Sequence, residues 1–281
     1  MPRLEVRGAE LEWSERGEEG RPTALLVHET AVDRRAWDPV SQALGAHGAR
    51  AISYDRRGWG GSGAPPGYAR TTVEEQSEDA AGLLEGLLEG RQGVAPGVPG
   101  GAVLAGAGLG AIVALDLAAR RPDLVAGTVL VEPPLLSLLP EATELLAADL
   151  RTLEAAAGEG RESLVGLYLS GRLGALGAGA GRLPDALTAP ARERPASLIA
   201  EIGAVPAWRM SVPRLAEASR PAAILTSAAT PPLLLAAARA LADRLANAEH
   251  RGLNADGPPH LAAPAEVAEA VRELGGLGEL G

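Results

Sequence analysis

The chain has one stretch laid out for covalent chemistry, and its key position carries no side chain. Val103-Leu104-Ala105-Gly106-Ala107-Gly108-Leu109-Gly110-Ala111-Ile112-Val113 reads as a buried strand, a turn of small residues and a helix that starts at once. That is the layout of a nucleophile elbow, where a G-x-S-x-G turn lifts a serine between strand and helix. Gly106 and Gly110 stand where the flanking glycines belong, and the tip is Gly108. A glycine has nothing to attack with. Thiolate and Schiff-base chemistry are excluded by composition. The chain has no cysteine, hence no thiolate, and its 26 Lys+Arg are all arginine, hence no Schiff base. No His/Asp/Glu grouping has metal-ligand spacing. Gly60, Gly61 and Gly63 are not part of a strand-G-x-G-x-x-G-helix unit followed by an acid, so no dinucleotide site is expected. The expected cofactor is none.

The elements that must position this turn follow from the apolar pattern. Residues 3–15 predict a hairpin at a sheet edge, and Pro22–His28 is a continuous apolar run of the kind found in central parallel strands. Strands are also predicted at Ala49–Tyr54, Val125–Val131, Ala222–Leu225 and Glu249–Leu253. Helices are predicted at about Trp37–His47, Val73–Glu89, from the elbow to Arg121, 232–246 and from Pro264. A Gly/Pro loop is predicted at 92–101. From 135 to 218 helical stretches dominate (141–157, 161–173, 195–204, 207–218) around a Gly/Ala-rich segment at 171–182. Strands alternating with helices imply a parallel sheet covered on both faces. The domain reading is a core of 1–134 with 219–281 and an inserted helical cap at 135–218.

Composition bounds the partners. A hydrophobic share of 46% with 22% charged residues fits a soluble globular protein. A net charge of −10 argues against nucleic acid and anionic membrane surfaces. No apolar run spans a bilayer, and the Met-Pro-Arg-Leu-Glu start does not read as a signal peptide, so a cytoplasmic location is the default. The sequence leaves a homodimer open.

Taken together, the strand ending in His28, Tyr54-Asp55-Arg56-Arg57-Gly58 with Gly61-Ser62-Gly63, the elbow frame, Leu130-Val131-Glu132-Pro133-Pro134 and Pro259-His260-Leu261-Ala262-Ala263-Pro264 resemble an α/β-hydrolase-fold protein over nearly the whole chain outside the cap. The resemblance implies an α/β fold with a mostly parallel central sheet and a cap. Carried over, the family's nucleophile falls on Gly108 and its catalytic histidine on Gly257. The stretch Thr226-Ser227-Ala228-Ala229-Thr230 offers no late acid. Some relatives place the acid one strand earlier, where Glu132 stands. Ser–His acyl transfer needs an oxygen nucleophile beside a base that a carboxylate orients, so ordinary esterase chemistry is not expected at this site.

What the resemblance leaves is a backbone oxyanion hole at Thr30 and Leu109, the latter at a helix N-terminus. Glu29 replaces the usual glycine at the pocket mouth, as a general acid or base or as a solvated loop carboxylate. Glu132 is a candidate for proton transfer if buried and unpaired, or for pairing with an arginine. His28 is either catalytic or hydrogen-bonded under its loop. His260 lies three residues past the vacant histidine position, and the stiff Pro258-Pro259 would have to reroute the loop to bring it into the pocket. Asp55 and Arg57 read as loop stabilisers. Tyr168 and Trp208-Arg209-Met210 in the cap are candidates to stack on a flat ligand, or to pack cap on core. Trp59 is a candidate pocket wall, and Gly108 with Gly257 would widen one cavity.

The expected activity is a non-hydrolytic, cofactor-independent reaction on a bulky, largely apolar small molecule. Michael or aldol addition, cyclisation or isomerisation by positioning and carbonyl polarisation fits such a site. This is similar to the triad-less α/β-hydrolase-fold catalysts of natural-product biosynthesis. A ligand-binding protein without activity, and a hydrolase in which Glu132 or His260 activates water, are the alternatives.

Overall fold

The computed structural model describes residues 1–17, 23–88, 101–210, 215 and 218–276. Strands β1 (Arg3–Val6), β2 (Ala9–Arg16), β3 (Thr23–Val27), β4 (Arg50–Tyr54), β5 (Ala102–Ala107), β6 (Val125–Val131), β7 (Ala222–Ser227) and β8 (Ala248–Leu253) form one sheet. Their order is β1-β2-β4-β3-β5-β6-β7-β8. The two pairings of β2 are antiparallel and all others are parallel. This is the expected α/β-hydrolase fold.

The apolar runs are continuous because both faces are covered, yet each strand still alternates. Leu25, Val27, Ile52, Leu104 and Leu130 face one core, which includes side chains of α2 (Val73–Leu88), α3 (Leu109–Arg120) and α9 (Pro232–Ala242). Ala24, Leu26, Ala51, Val103 and Val129 face the other, with α1 (Asp38–Ala46) and α11 (Pro264–Leu274). Between β6 and β7 run α4 (Ala142–Glu159), α5 (Arg161–Leu169), α6 (Asp185–Glu193), α7 (Pro195–Glu201) and α8 (Ala204–Ala207). Among the described residues no helix is long and apolar enough to cross a membrane.

The helix α6, which carries Pro190 inside it and buries Thr188, Pro190 and Ala191, is an addition to the expected elements. One local expectation changes. The helix expected over 207–218 is not present at its start, since Trp208 is extended (φ −65°, ψ 133°). Residues 211–214 and 216–217 lie outside the described residues, as does the expected loop at 92–101 except Gly101.

Parallel registry brings the functional positions to one edge. Val27 pairs with Gly106, Ala107 with Val131, and Val131 with Leu225. The residues just past these strands, Glu29, Gly108, Glu132 and Thr230, therefore share the carboxyl edge of the sheet, where open α/β sheets bind ligands. The elbow glycines are required by close approach. A Cβ on Gly106 would lie 2.1 Å from the Gly110 carbonyl oxygen, and one on Gly110 would lie 2.1 Å from the Val27 oxygen. Neither backbone oxygen can move without unpacking α3 from the sheet. Gly110→Ala is therefore expected to lower unfolding free energy by at least about 2 kcal/mol. A urea-denaturation midpoint equal to that of the parent chain would contradict this packing.

Candidate active site

Gly108 ends β5 and opens α3 at φ 53°, ψ −122°. Non-glycine residues hold such a backbone only with strain of order 1–3 kcal/mol. Its N–H donates to the Val131 carbonyl (3.0 Å). A Cβ here would lie 2.9 Å from Cβ of Glu29 and 3.5 Å from its Oε2. The Glu29 side chain thus lies over the elbow tip, in the space a larger residue at 108 would enter. Thr30 and Leu109 line the same cavity, and the N–H of neither donates to another group among the described residues. Leu109 is the first residue of α3, so its amide belongs to the positive end of the helix.

Glu29 is a carboxyl group in an environment that disfavours charge. Its side chain is 16% exposed. Burial, reinforced by the neighbouring Glu132 carboxylate, pushes it up to about 8 against the opposing pull of Arg182 and Arg56. His260 stands beside it, Nε2 lying 3.4 Å from Glu29 Oε1. The ring is buried, and neither of its nitrogens has a hydrogen-bond partner. Burial and Arg182 pull its pKa down to about 3, so the imidazole is neutral. The sequence reading has Pro258-Pro259 keeping His260 away from the pocket. Instead Pro258 caps and Pro259 opens the one-turn helix α10 (Pro259–Ala262), which turns His260 back to the cavity wall.

Glu132, at φ 45°, is held rather than free. Its carboxylate accepts from Thr230 Oγ1 (2.5 Å) and pairs with Arg182. Arg182 also donates to the Ala229 carbonyl (3.2 Å). Of the two sequence readings of Glu132, pairing with an arginine is the one present.

Arg56 organises the floor. Its Nε and Nη2 donate to the carbonyls of His28 (3.0 Å) and Glu29 (3.1 Å). The same guanidinium grips Glu201 of α7 through both carboxylate oxygens (2.6 and 3.1 Å). Trp59 Nε1 donates to Glu201 as well (3.0 Å). His28 accepts the Arg56 N–H at Nε2 (3.0 Å) and donates from Nδ1 to the Glu29 carbonyl (2.8 Å). Burial and Arg56 lower its pKa well below the ordinary range. Both of its nitrogens are committed to backbone, which removes it from the catalytic candidates. Asp55 accepts from the N–H groups of Arg34 and Gly61 (2.9 and 2.8 Å), and Arg57 pairs with Asp79 (2.6 Å). Both hold their loop.

The cavity above this floor measures about 630 Å³, a size that suits a small organic ligand. Glu29, Thr30, Gly108, Leu109, Glu132 and His260 form its core side, and Glu201, Tyr168, Trp208, Arg209 and Met210 line it from the other elements. The rest of the wall is mostly aliphatic, including Leu135, Leu136, Leu146, Leu176, Ile202 and Val205. Burial raises the Tyr168 phenol well above its ordinary value. Trp208 is fixed by Asp116 of α3, which accepts its indole N–H (2.9 Å).

Three expected pocket or catalytic residues are not on this wall. They are His28, Trp59, whose buried indole is turned to Glu201, and Gly257, whose Cβ would meet only Ala262 (3.3 Å). Gly108 and Gly257 therefore do not widen a single cavity. Sequence reasoning missed Glu201, Arg182 and Thr230. Arg182 is one of two charges, with Arg172, in the Gly/Ala-rich segment at 171–182, a usable signal, whereas nothing near Glu201 marks it.

Comparison with known proteins agrees with this architecture. The model of the alpha/beta hydrolase family matches residues 24–270. The chain belongs to that family. A solved enol-lactonase from Burkholderia xenovorans LB400 superposes with a TM-score of 0.71 at 23% identity, covering 99% of this chain and 100% of that one. A thermophilic esterase from Thermogutta terrifontis gives 0.72 at 23% identity over 97% of both chains. Likeness at that identity establishes the fold. An uncharacterized hydrolase, YraK of Bacillus subtilis (strain 168), is 32% identical over 146 residues, 52% of this chain and 49% of the relative. The α/β-hydrolase chain described here thus matches about half the length of that curated relative.

Two predictions follow from the Glu29 environment. A carboxyl with a raised folded pKa binds more protons folded than unfolded between its two pKa values, so stability falls as pH rises from about 4.5 to about 8. Glu29→Gln abolishes that term. Its stability relative to the parent should grow with pH by up to about 1.4 kcal/mol per unit and level off above pH 8. Parallel denaturation curves from pH 6 to 9 would contradict the raised value. Gly108→Ser drives a Cβ against Glu29 at positive φ and should cost about 1–3 kcal/mol without creating esterase activity. Turnover of p-nitrophenyl esters that this variant gains over the parent chain would contradict the geometry.

Proposed function

We propose that this α/β-hydrolase-family chain is an enzyme that works without a Ser-His-acid triad. Its Glu29 carboxyl moves a proton on an uncharged, largely apolar carbonyl compound held in the cavity. The single observation that carries this reading is the Glu29 side chain over the elbow tip, at the polar end of an apolar cavity, with a pKa of about 8. A carboxyl poised near the working pH can both give and take a proton, and a positioned acid–base group contributes about 10²–10⁴-fold. The Thr30 and Leu109 amides supply donors for a developing enolate or alkoxide. The reaction class this supports is isomerisation or ring closure, including Michael- or aldol-type carbon–carbon bond formation, with residues 135–218 acting as the cap over the substrate. The bulky substrate and the secondary-metabolic setting belong to this proposal.

A second reading is hydrolysis, with the Glu29 carboxylate activating water toward an ester or lactone. Family membership and the enol-lactonase and esterase among the structural neighbours favour it; they lend nothing to carbon–carbon bond formation. Glu132 and His260 are poor alternatives as water activators. The first is tied to Arg182 and Thr230, and the nitrogens of the second are buried behind Glu29.

Product mass separates the readings. Incubation with panels of apolar enones, lactones and aryl esters should yield a product of unchanged mass under the first reading and one heavier by a water, or its fragments, under the second. Under either, Glu29→Gln should lower turnover at least about 100-fold while the fold is retained. Tight binding with every ligand recovered unchanged would assign the chain to the ligand-binding class. Turnover indifferent to Glu29→Gln would overturn the proposal.

A further inference from the structure

Behind Glu29 the structure holds a buried group that the proposed reaction leaves unused. His260 is 1% exposed, and both ring nitrogens are enclosed without a partner. Trp37 lies against its ring at a centroid distance of 5.0 Å and a tilt of 36°, which restricts the imidazole plane. Enclosed polar nitrogens left unpaired destabilise the fold, so a nearby acceptor for the ring N–H is favoured. The carboxyl of Glu29 lies within reach of Nε2, at 3.4 Å from Oε1. The other oxygen, Oε2, is the one nearer the elbow tip, 3.5 Å from where a Cβ on Gly108 would lie. One carboxyl is thus shared between two partners, the buried ring on one side and the substrate space on the other.

We propose that His260 is a positioning residue for Glu29: the 3.4 Å contact, open in this structure, closes when substrate is bound, so that Nε2–H donates to Oε1 and holds Oε2 toward the reacting atoms. The inference rests on the reading of Glu29 as the proton-transfer group. A single tautomer suffices, because Oε1 accepts whether Glu29 is the acid, with its proton on Oε2, or the carboxylate. No proton has to pass to the imidazole, which its low proton affinity in this environment disfavours. Nδ1 makes no bond that would impose the opposite tautomer, a constraint that the partner of the second nitrogen usually sets. Other charges also act on Glu29: Glu132, Arg182 and Arg56. The phenol of Tyr168 and the carboxylate of Glu201 line the same cavity. None of these depends on His260, so its substitution changes one donor and leaves that field in place.

The test reads Glu29 directly. The infrared carbonyl band of its protonated carboxyl, identified by its loss in Glu29→Gln, is titrated in the parent, His260→Leu and His260→Gln. Loss of a donor to the carboxylate favours the acid, so the midpoint should rise by about one pH unit in His260→Leu. It should return toward the parent value in His260→Gln, whose amide N–H can take the place of Nε2–H. With a turned-over substrate, kcat should fall about tenfold in His260→Leu with KM little changed, and its pH profile should shift with the band. A midpoint unmoved in His260→Leu, or one that His260→Gln fails to restore, overturns the inference. Should the leucine variant not fold, a glutamine midpoint displaced as far upward as that of a His260→Ala variant does the same. The outcomes separate from those above. A coupled band with turnover indifferent to Glu29→Gln defeats only the function. An uncoupled band with turnover lost in Glu29→Gln defeats only the role of His260.

Discussion

The site depends on one buried guanidinium. Arg56 is fully enclosed, and its nitrogens are divided between the carbonyls of His28 and Glu29 and the carboxylate of Glu201. The first two bonds fix the loop that carries the Glu29 carboxyl and the Thr30 amide. The bonds to Glu201 tie α7, and with it the cavity wall, to the same point. A buried ion pair is costly to desolvate and is stable only when its remaining hydrogen-bonding capacity is used. Here Trp59 supplies the further donor to Glu201, and His28 occupies the Arg56 backbone N–H. Removing either charge would leave the other stranded in the core, which is why the floor and the wall are one unit.

Reciprocal links repeat that arrangement around the cavity. Trp59, next to the sheet edge, donates to a carboxylate of α7, while Trp208, which follows α8, donates to Asp116 of α3. Arg182 reaches across to Glu132, and Ser197 and Arg194 reach the Gly58 carbonyl. The elements between β6 and β7 are thus fixed to the sheet edge by polar bonds around an aliphatic interior. Such a container provides shape and apolar surface, with polar groups on both sides of it: Glu29, Glu132 and His260 from the core, Glu201, Tyr168 and Arg209 from the elements between β6 and β7. In that setting the proton affinity of Glu29 is set by exclusion of water and by Glu132, not by a dedicated charge partner.

The same geometry gives meaning to the glycine at the elbow tip. Gly108 keeps the backbone turn that the strand-to-helix connection demands, and it leaves room for the Glu29 side chain. The two positions are sterically linked, since a side chain at 108 and the present Glu29 rotamer compete for one volume. The elbow thereby carries a carboxyl that arrives from the neighbouring loop in place of one borne by its own tip.

Much of the fold was legible in the chain because it rests on local periodicity. Continuous apolar runs such as Thr23–Val27 mark doubly covered strands, and the spacing of Gly106 and Gly110 marks a helix packed hard on a sheet. Tip and carboxylate were legible as candidates for the same reason: Gly108, Glu29 and Glu132 each follow a readable strand. Partnership was not. His28 and His260 are indistinguishable as residue types, yet one is consumed by backbone bonds and the other lies behind Glu29. Gly257, which aligns with a catalytic position, is off the wall, and Glu201 entered from a helix with no motif. The sequence by itself determined which elements form and which residues stand at the sheet edge, because those follow from short-range pattern and covalent order. Only the tertiary structure decided which charges meet, how far each is withdrawn from water and what the tip of the elbow faces. Those quantities depend on distances through space between segments far apart in the chain.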